Sequence, residues 1–134
     1  MDMGGCKMSK RNNKNIPSEE DFQRAELADR ERQRGLSQIR DCILNCFSKY
    51  GVHEAFVFYS PQKNTFRAYI FFRWDRQVKE AEESGLTSII KDTIFNELDY
   101  VGRGNRDTIK VDFEFDSHEN VEQNFDGDYY NRLR

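Results

Sequence analysis

Thr108-Ile-Lys-Val-Asp-Phe-Glu-Phe-Asp116 alternates strictly between apolar and polar, mostly charged, side chains. Because successive residues of a strand point to opposite faces, this pattern predicts a β-strand with one buried face and one acidic face. The buried face would consist of Ile109, Val111, Phe113 and Phe115. The acidic row would consist of Asp112, Glu114 and Asp116, with successive carboxylates about 6.5–7 Å apart.

The acidic character continues beyond this predicted strand. Residues 107–128 contain eight carboxylates and one lysine, with aromatic residues among the charges. Acids speed association with a cationic protein, and aromatic residues can anchor the apolar centre of an interface. A solvated strand face followed by a frayed tail is the alternative interpretation. The predicted partner-binding residues are Asp112, Glu114, Asp116, Glu119, Glu122, Phe125, Asp126, Asp128, Tyr129 and Tyr130.

Length and charge limit the classes of protein that fit. A chain of 134 residues suits one domain with a single core, and its 34% charged residues against 37% hydrophobic ones indicate a small core. The net charge of -3 is uneven, because residues 35–74 sum to +3 and residues 75–134 to -7. The negative half would repel phosphates, which argues against a nucleic-acid partner there.

Targeting and redox features are sparse in the sequence. The first sixteen residues lack an apolar segment of the signal-peptide type, and no apolar run approaches membrane-spanning length. Three cysteines do not suggest a disulfide framework, and Cys42 and Cys46 share a helical pattern typical of core thiols. We therefore expect a cytoplasmic protein with no membrane partner and no cofactor.

The order of elements is read from hydrophobic periodicity and turn residues. Residues 1–16 are expected to be a disordered lead-in, and residues 17–134 one α+β domain whose acidic C-terminal segment is 116–134. A helix capped by Ser18 would carry its apolar stripe after Gly35, and a second helix would do so after Gly85. The predicted strands are 54–60, 66–74 and 108–116, which gives the order helix, strand, strand, helix, strand.

This order predicts an α+β fold in which two helices pack on one face of an antiparallel sheet of at least three strands. The sheet would place Phe56, Phe58, Ile70, Phe72, Ile109, Val111, Phe113 and Phe115 in the core. The helices would add Leu36, Ile39, Ile43, Phe47, Leu86, Ile90, Ile94 and Leu98.

No catalytic signature stands out, and we predict that the protein is not an enzyme. One alternative is a metal-dependent hydrolase that uses His118 with Asp116 and Glu119, although the run Asp116–Asn120 also fits a structured turn. A second alternative is a small RNA-binding module on the basic and aromatic second strand. Its contact residues would be Arg67, Tyr69, Arg73, Arg103 and Arg106.

The ending Val111-Asp-Phe-Glu-Phe-Asp-Ser-His-Glu-Asn-Val-Glu-Gln-Asn-Phe-Asp-Gly-Asp-Tyr-Tyr-Asn-Arg-Leu-Arg134 resembles small bacterial immunity proteins. These accompany polymorphic or contact-dependent toxins and include the YezG-like group. The resemblance covers roughly residues 36–134 and rests on element order, size and the acidic ending. It implies an antitoxin, a non-catalytic protein that binds one cognate toxin domain, often a basic nuclease, and covers its active site. It assigns no individual residue and leaves the oligomeric state open.

Overall fold

A computed structural model of the chain describes residues 19–134, and their side chains from residue 23 onward except residue 29. The predicted lead-in 1–16 and the capping residue Ser18 lie outside the described residues. The chain divides after Arg34 into two compact units, so the expected domain 17–134 spans this division. The described part of the first unit contains α1 (Glu19–Arg32), a mostly charged helix with an Arg30–Glu26 ion pair at 3.7 Å.

The second unit, residues 35–134, contains the remaining elements. Each of the two predicted helices is divided at a glycine, because Gly35 and Gly85 adopt left-handed backbone conformations with φ of 82° and 86°. A 3₁₀ turn, Ser48–Tyr50, follows the first helix of this unit. In chain order the elements are α2 (Leu36–Phe47), β1 (Val52–Ser60), β2 (Thr65–Phe72), α3 (Asp75–Ser84), α4 (Leu86–Tyr100), β3 (Val111–Ser117), α5 (His118–Phe125) and α6 (Tyr129–Leu133).

The α+β class and a sheet of three strands, in the order β1-β2-β3, confirm the predicted fold class. The sheet is mixed, however. The β1–β2 hairpin is antiparallel as expected, whereas β3 runs parallel to β2, with Phe66 opposite Val111 and Phe72 opposite Ser117. The expectation of a fully antiparallel sheet is wrong for β3. Helices α3 and α4 form a crossover that returns the chain to the starting end of β2, as a parallel pair requires.

The main core lies between one face of the sheet and helices α2, α3 and α4. Phe66, Ala68, Ile70 and Phe72 of β2 face this core, as the alternation of the strand predicts. All eight helical core residues that were predicted lie in it or pack against it, and so do Ile109, Val111, Phe113 and Phe115. No described helix is long and apolar enough to cross a bilayer.

The predicted face of β1 is wrong. Ala55 and Val57 enter the main core, whereas Phe56 packs on the opposite face and Phe58 is 41% exposed. The physical reason is that both faces of this strand are apolar, since Ala55, Val57 and Tyr59 alternate with Phe56 and Phe58. A bulge precedes these residues, where the pairing with β2 shifts between Val52 and Glu54.

A second cluster covers the opposite face of the sheet, which we call the second face. Tyr69, Phe71 and Val121 form its buried centre. Phe56, Phe125, Tyr129 and Leu133 pack around them. The C-terminal segment is therefore ordered as α5 and α6 over the second face, where the sequence predicted an acidic ending without helices.

Candidate functional site

The acidic row of β3 lies on the second face, as the alternation predicted. Asp112, Glu114 and Asp116 are opposite Arg67, Tyr69 and Phe71 in the parallel pairing with β2. Tyr69 and Phe71 belong to the second cluster, which α5 and α6 cover. The row therefore lies at the edge of the C-terminal segment.

Arg132 of α6 binds two members of this row. Its Nε donates to Asp116 Oδ2 at 2.7 Å, and its terminal nitrogen donates to Glu114. Only 15% of the Arg132 side chain is exposed. Burial by itself would lower the pKa of Arg132, but the hydrogen bonds to Glu114 and Asp116 outweigh it and raise that pKa. Glu114 and Asp116 are thus bound to a cation of the same chain, and Asp112 stays exposed.

The run from Asp116 to Asn120 was predicted as a structured turn in one interpretation, but it is the junction at which β3 ends and α5 begins. Asp116 accepts hydrogen bonds from the Ser117 amide at 2.8 Å and from Asn120 Nδ2 at 2.9 Å. Ser117 caps α5 by accepting from the Asn120 amide, while its hydroxyl donates to Asp75. Glu119 accepts from the Asp75 amide at 2.9 Å. These carboxylates hold α5 against the start of α3.

The three aromatic residues of the C-terminal segment have different positions. Phe125 and Tyr129 pack on the second face, Tyr129 with its ring edge-on to Phe71 at 4.9 Å between centroids. Tyr130 is 76% exposed, and the guanidinium of Arg134 lies 5.9 Å from its ring centroid. Of these three aromatic side chains, Tyr130 is the exposed one.

Three acids of the C-terminal segment are exposed as well. Glu122, Asp126 and Asp128 are exposed, and Asp128 also caps α6 by accepting from the Asn131 amide at 3.2 Å. Asp126 ends α5 in a left-handed conformation, with φ of 54°. We call these three acids and Tyr130 the acidic C-terminal surface. It is a subset of the predicted partner-binding residues, held in place by the second cluster beneath it.

A histidine pair lies beside this surface and was missed by the sequence analysis. His53 is the bulge residue of β1, and its ring centroid lies 4.3 Å from that of His118. His118 Nδ1 is 2.7 Å from the Tyr129 hydroxyl, and Nε2 is 3.2 Å from Glu122 Oε1. A bulge changes the direction in which a side chain points. The alternation of apolar residues does not show where a bulge lies, so the sequence did not predict the contact between His53 and His118. His118 thus contacts Tyr129 and Glu122, and the two acids predicted beside it, Asp116 and Glu119, have the partners described above.

The chain of Glu122, His118 and Tyr129 has the hydrogen-bond order of an acid, base and nucleophile set. The pKa of Tyr129 argues against this role. Burial, followed by the charges of Glu54 and Glu122, raises the pKa of Tyr129 to about 12, whereas an activated phenol needs a lowered pKa. We interpret the set as a contact that fastens α6 to α5.

Residues of the predicted RNA-binding module make contacts within the chain. Tyr69, the proposed RNA-stacking residue, is 5% exposed beneath the C-terminal segment, so its ring has no open face. Arg106 binds Asp92 at 2.5 Å, and Arg103 lies over the rings of Tyr59 and Phe66. Among the side chains that the structure describes, no group of three or more His, Cys, Asp or Glu residues is arranged to hold a metal ion.

Comparison of the chain with protein-family models, curated proteins and solved structures gives no match. A functional proposal therefore rests on the geometry of the described residues.

Proposed function

We propose that the protein is a non-catalytic immunity protein, which binds a cationic toxin domain through the acidic C-terminal surface and neutralises it. The observation that carries this proposal is that Tyr130, Glu122, Asp126 and Asp128 are all exposed on one ordered segment. The resemblance of the chain ending to immunity proteins supports the same role.

The ordered state of the C-terminal segment favours binding, because a partner would not have to immobilise the segment. Val121 is fully buried, and Phe125 and Tyr129 pack beside it, so the segment is anchored before a partner arrives. Ordering a disordered tail would subtract from the affinity, and a pre-formed surface avoids that cost. The exposed acids then steer a basic partner, while Tyr130 supplies an aromatic contact of the kind that dominates interface energetics.

Arg132 is an example of a cationic side chain bound on the second face. A guanidinium lies between two carboxylates and 5.7 Å from the ring centroid of Phe71. Outside the core, the Arg134 guanidinium lies 5.9 Å from the ring centroid of Tyr130, which repeats the cation–ring part of this contact. We therefore expect a partner whose contact residues include arginine, with a total buried area on the order of 1,600 Å² for a specific complex.

The test replaces the three acids of the surface by amides, in the variant E122Q/D126N/D128N. Each amide keeps the acceptor oxygen that the fold uses, at the His118 contact and at the α6 cap, and asparagine tolerates the left-handed backbone at position 126. The control, E80Q/E82Q/E83Q, removes the same number of charges from three exposed glutamates of α3.

Cross-linked complexes are isolated from the cells that produce the protein, and the captured protein is then purified for kinetics. We expect a basic protein that the wild type and the α3 control bind at equal rates, with an association rate that falls as salt rises. The surface variant should associate at least tenfold more slowly and should fail to protect cells that express the captured protein. Equal binding and equal protection by the two variants would contradict the proposal.

A further inference from the structure

Cys42 and Cys46 form an accessible pair of thiols on α2. They are four residues apart, so they lie one above the other on the same side of the helix. The core stripe of α2 runs through Ile39, Ile43 and Phe47, and each cysteine precedes one of its members by one residue, a rotation of about 100°. Cys46 is consequently exposed and Cys42 is half-buried, so the sequence prediction of two core thiols is wrong.

The distance between the two sulfur atoms is 3.9 Å. In a tetrahedral thiolate site, a zinc–sulfur bond of about 2.3 Å places two sulfurs roughly 3.8 Å apart. We propose that Cys42 and Cys46 are a two-thiolate binding site for a thiophilic divalent ion of the zinc class. The ion would bridge the last turn of α2 without any movement of the backbone, and its remaining coordination positions would face solvent. This inference is independent of the proposed toxin partner.

A disulfide fits the same pair poorly. It needs Cβ atoms about 3.5–4.5 Å apart, whereas side chains four apart on a helix have Cβ atoms about 5–6 Å apart. Oxidation would therefore unwind the end of α2, while an ion between the sulfurs would not. Soft thiolate ligands also select ions of this class over magnesium or calcium.

Binding exchanges protons for the ion. Two thiols and one divalent ion give a bis-thiolate complex and two protons, with no electron transferred. Burial raises the pKa of Cys42 to about 11, and Cys46 and the nearby charge of Glu97 add to this rise. Because a thiol must lose its proton to bind the ion, apparent affinity should increase with pH. The negative charge of Glu97 also favours a divalent cation nearby.

The experiment titrates full-length protein, kept reduced without added thiol, with Cd²⁺. The absorption of thiolate-to-metal charge transfer reports binding, and a pH indicator counts the protons released. We expect one ion per chain, bound with release of protons. Cys42→Ser and Cys46→Ser should each weaken binding by roughly a hundredfold, since the second thiolate acts as an intramolecular ligand.

Two controls separate the pair from thiol content. Cys6→Ser, at a position outside the described residues, should bind as the wild type does. The variant D41C/C42S keeps three thiols but places two of them five residues apart on α2, and it should bind as weakly as Cys42→Ser. Wild-type affinity in D41C/C42S, in Cys42→Ser or in Cys46→Ser, or loss of binding in Cys6→Ser, would overturn the proposal.

Discussion

The Nε atom of Arg132 donates to Oδ2 of Asp116 at 2.7 Å, and this bond joins α6 to the acidic row of β3. The two side chains are 15% and 19% exposed, so water replaces the contact poorly when it is lost. Glu114 accepts from the same guanidinium. One arginine thus neutralises two carboxylates and holds down the end of the described chain.

Replacing Arg132 by glutamine should destabilise the protein by about 2 kcal/mol, because partly buried carboxylates lose a charged hydrogen-bond donor. Urea denaturation measures this cost. Arg134→Gln, which changes an exposed arginine in the same segment, should cost less than about 0.5 kcal/mol. If the two variants were equally stable, the Arg132 contact would not be what fastens α6.

The Tyr129 hydroxyl can be removed without removing its ring. Tyr129→Phe keeps the contacts with Phe56 and Phe71 but loses the 2.7 Å bond to His118, and it should cost about 1 kcal/mol. Tyr129→Ala also removes the ring and should cost about 3 kcal/mol or more. In a spectrophotometric titration, the wild type should show a phenol that ionises near pH 12, and Tyr129→Phe should lack it. The phenol at that pH must belong to another tyrosine if the titration of Tyr129→Phe is unchanged.

Acid should weaken the fold through His53. His53 is largely exposed, but partial desolvation of its ring, with the charges of His118 and Arg73, lowers the pKa of His53 from its ordinary value of 6.5, and Glu54 opposes this only in part. The unfolded chain therefore binds this proton first as the pH falls. Stability should be highest above pH 6.5 and should decline as the pH passes through 6.5 toward the folded-state pKa.

His53→Gln tests this prediction, because glutamine does not titrate. Thermal unfolding between about pH 7.5 and 5 should show a smaller loss of stability in the variant than in the wild type, since carboxylates titrate mostly below that range. Parallel pH profiles for the two proteins would assign the acid sensitivity to other groups.

Gly35 and Gly85 provide a matched pair of substitutions. Both have positive φ, but a Cβ at Gly85 meets no atom within 4 Å, whereas a Cβ at Gly35 would lie 2.9 Å from Val101 Cγ2. Gly85→Ala should cost about 1–2 kcal/mol for the backbone conformation alone. Gly35→Ala should cost more, because Val101 has to move as well. Equal unfolding midpoints for the two variants would show that Val101 yields freely.

The sequence predicted the parts of the fold in which local pattern and tertiary position agree. Residues 66–72 of β2 alternate cleanly because the strand has different neighbours on its two faces, and the stripe of Ile39, Ile43 and Phe47 has the helical period. The parallel pairing of β3 was not predictable in this way. It depends on how α3 and α4 pack as a crossover, which no single segment encodes.

The candidate site was predicted as a set of residues but not as an arrangement. The acids and aromatics of the ending were identified, yet their division into anchors and exposed groups depends on Arg132 reaching Glu114, eighteen residues earlier. The His53–His118 contact depends on a bulge, and a sequence of alternating apolar residues does not reveal where an extra residue is inserted. Long-range contacts decided both features.

The elements that pair with or pack on the central strand β2 are synthesised in two stages. Strand β1 and helices α2 to α4 precede residue 111 in the chain. The other edge of β2 and the second face of the sheet are covered only by residues 111–133. A nascent chain without those residues would present an unpaired strand edge together with Phe56, Tyr69 and Phe71. Open strand edges and apolar faces are the surfaces through which unfinished chains associate. Chaperone demand during translation should therefore be concentrated in this interval.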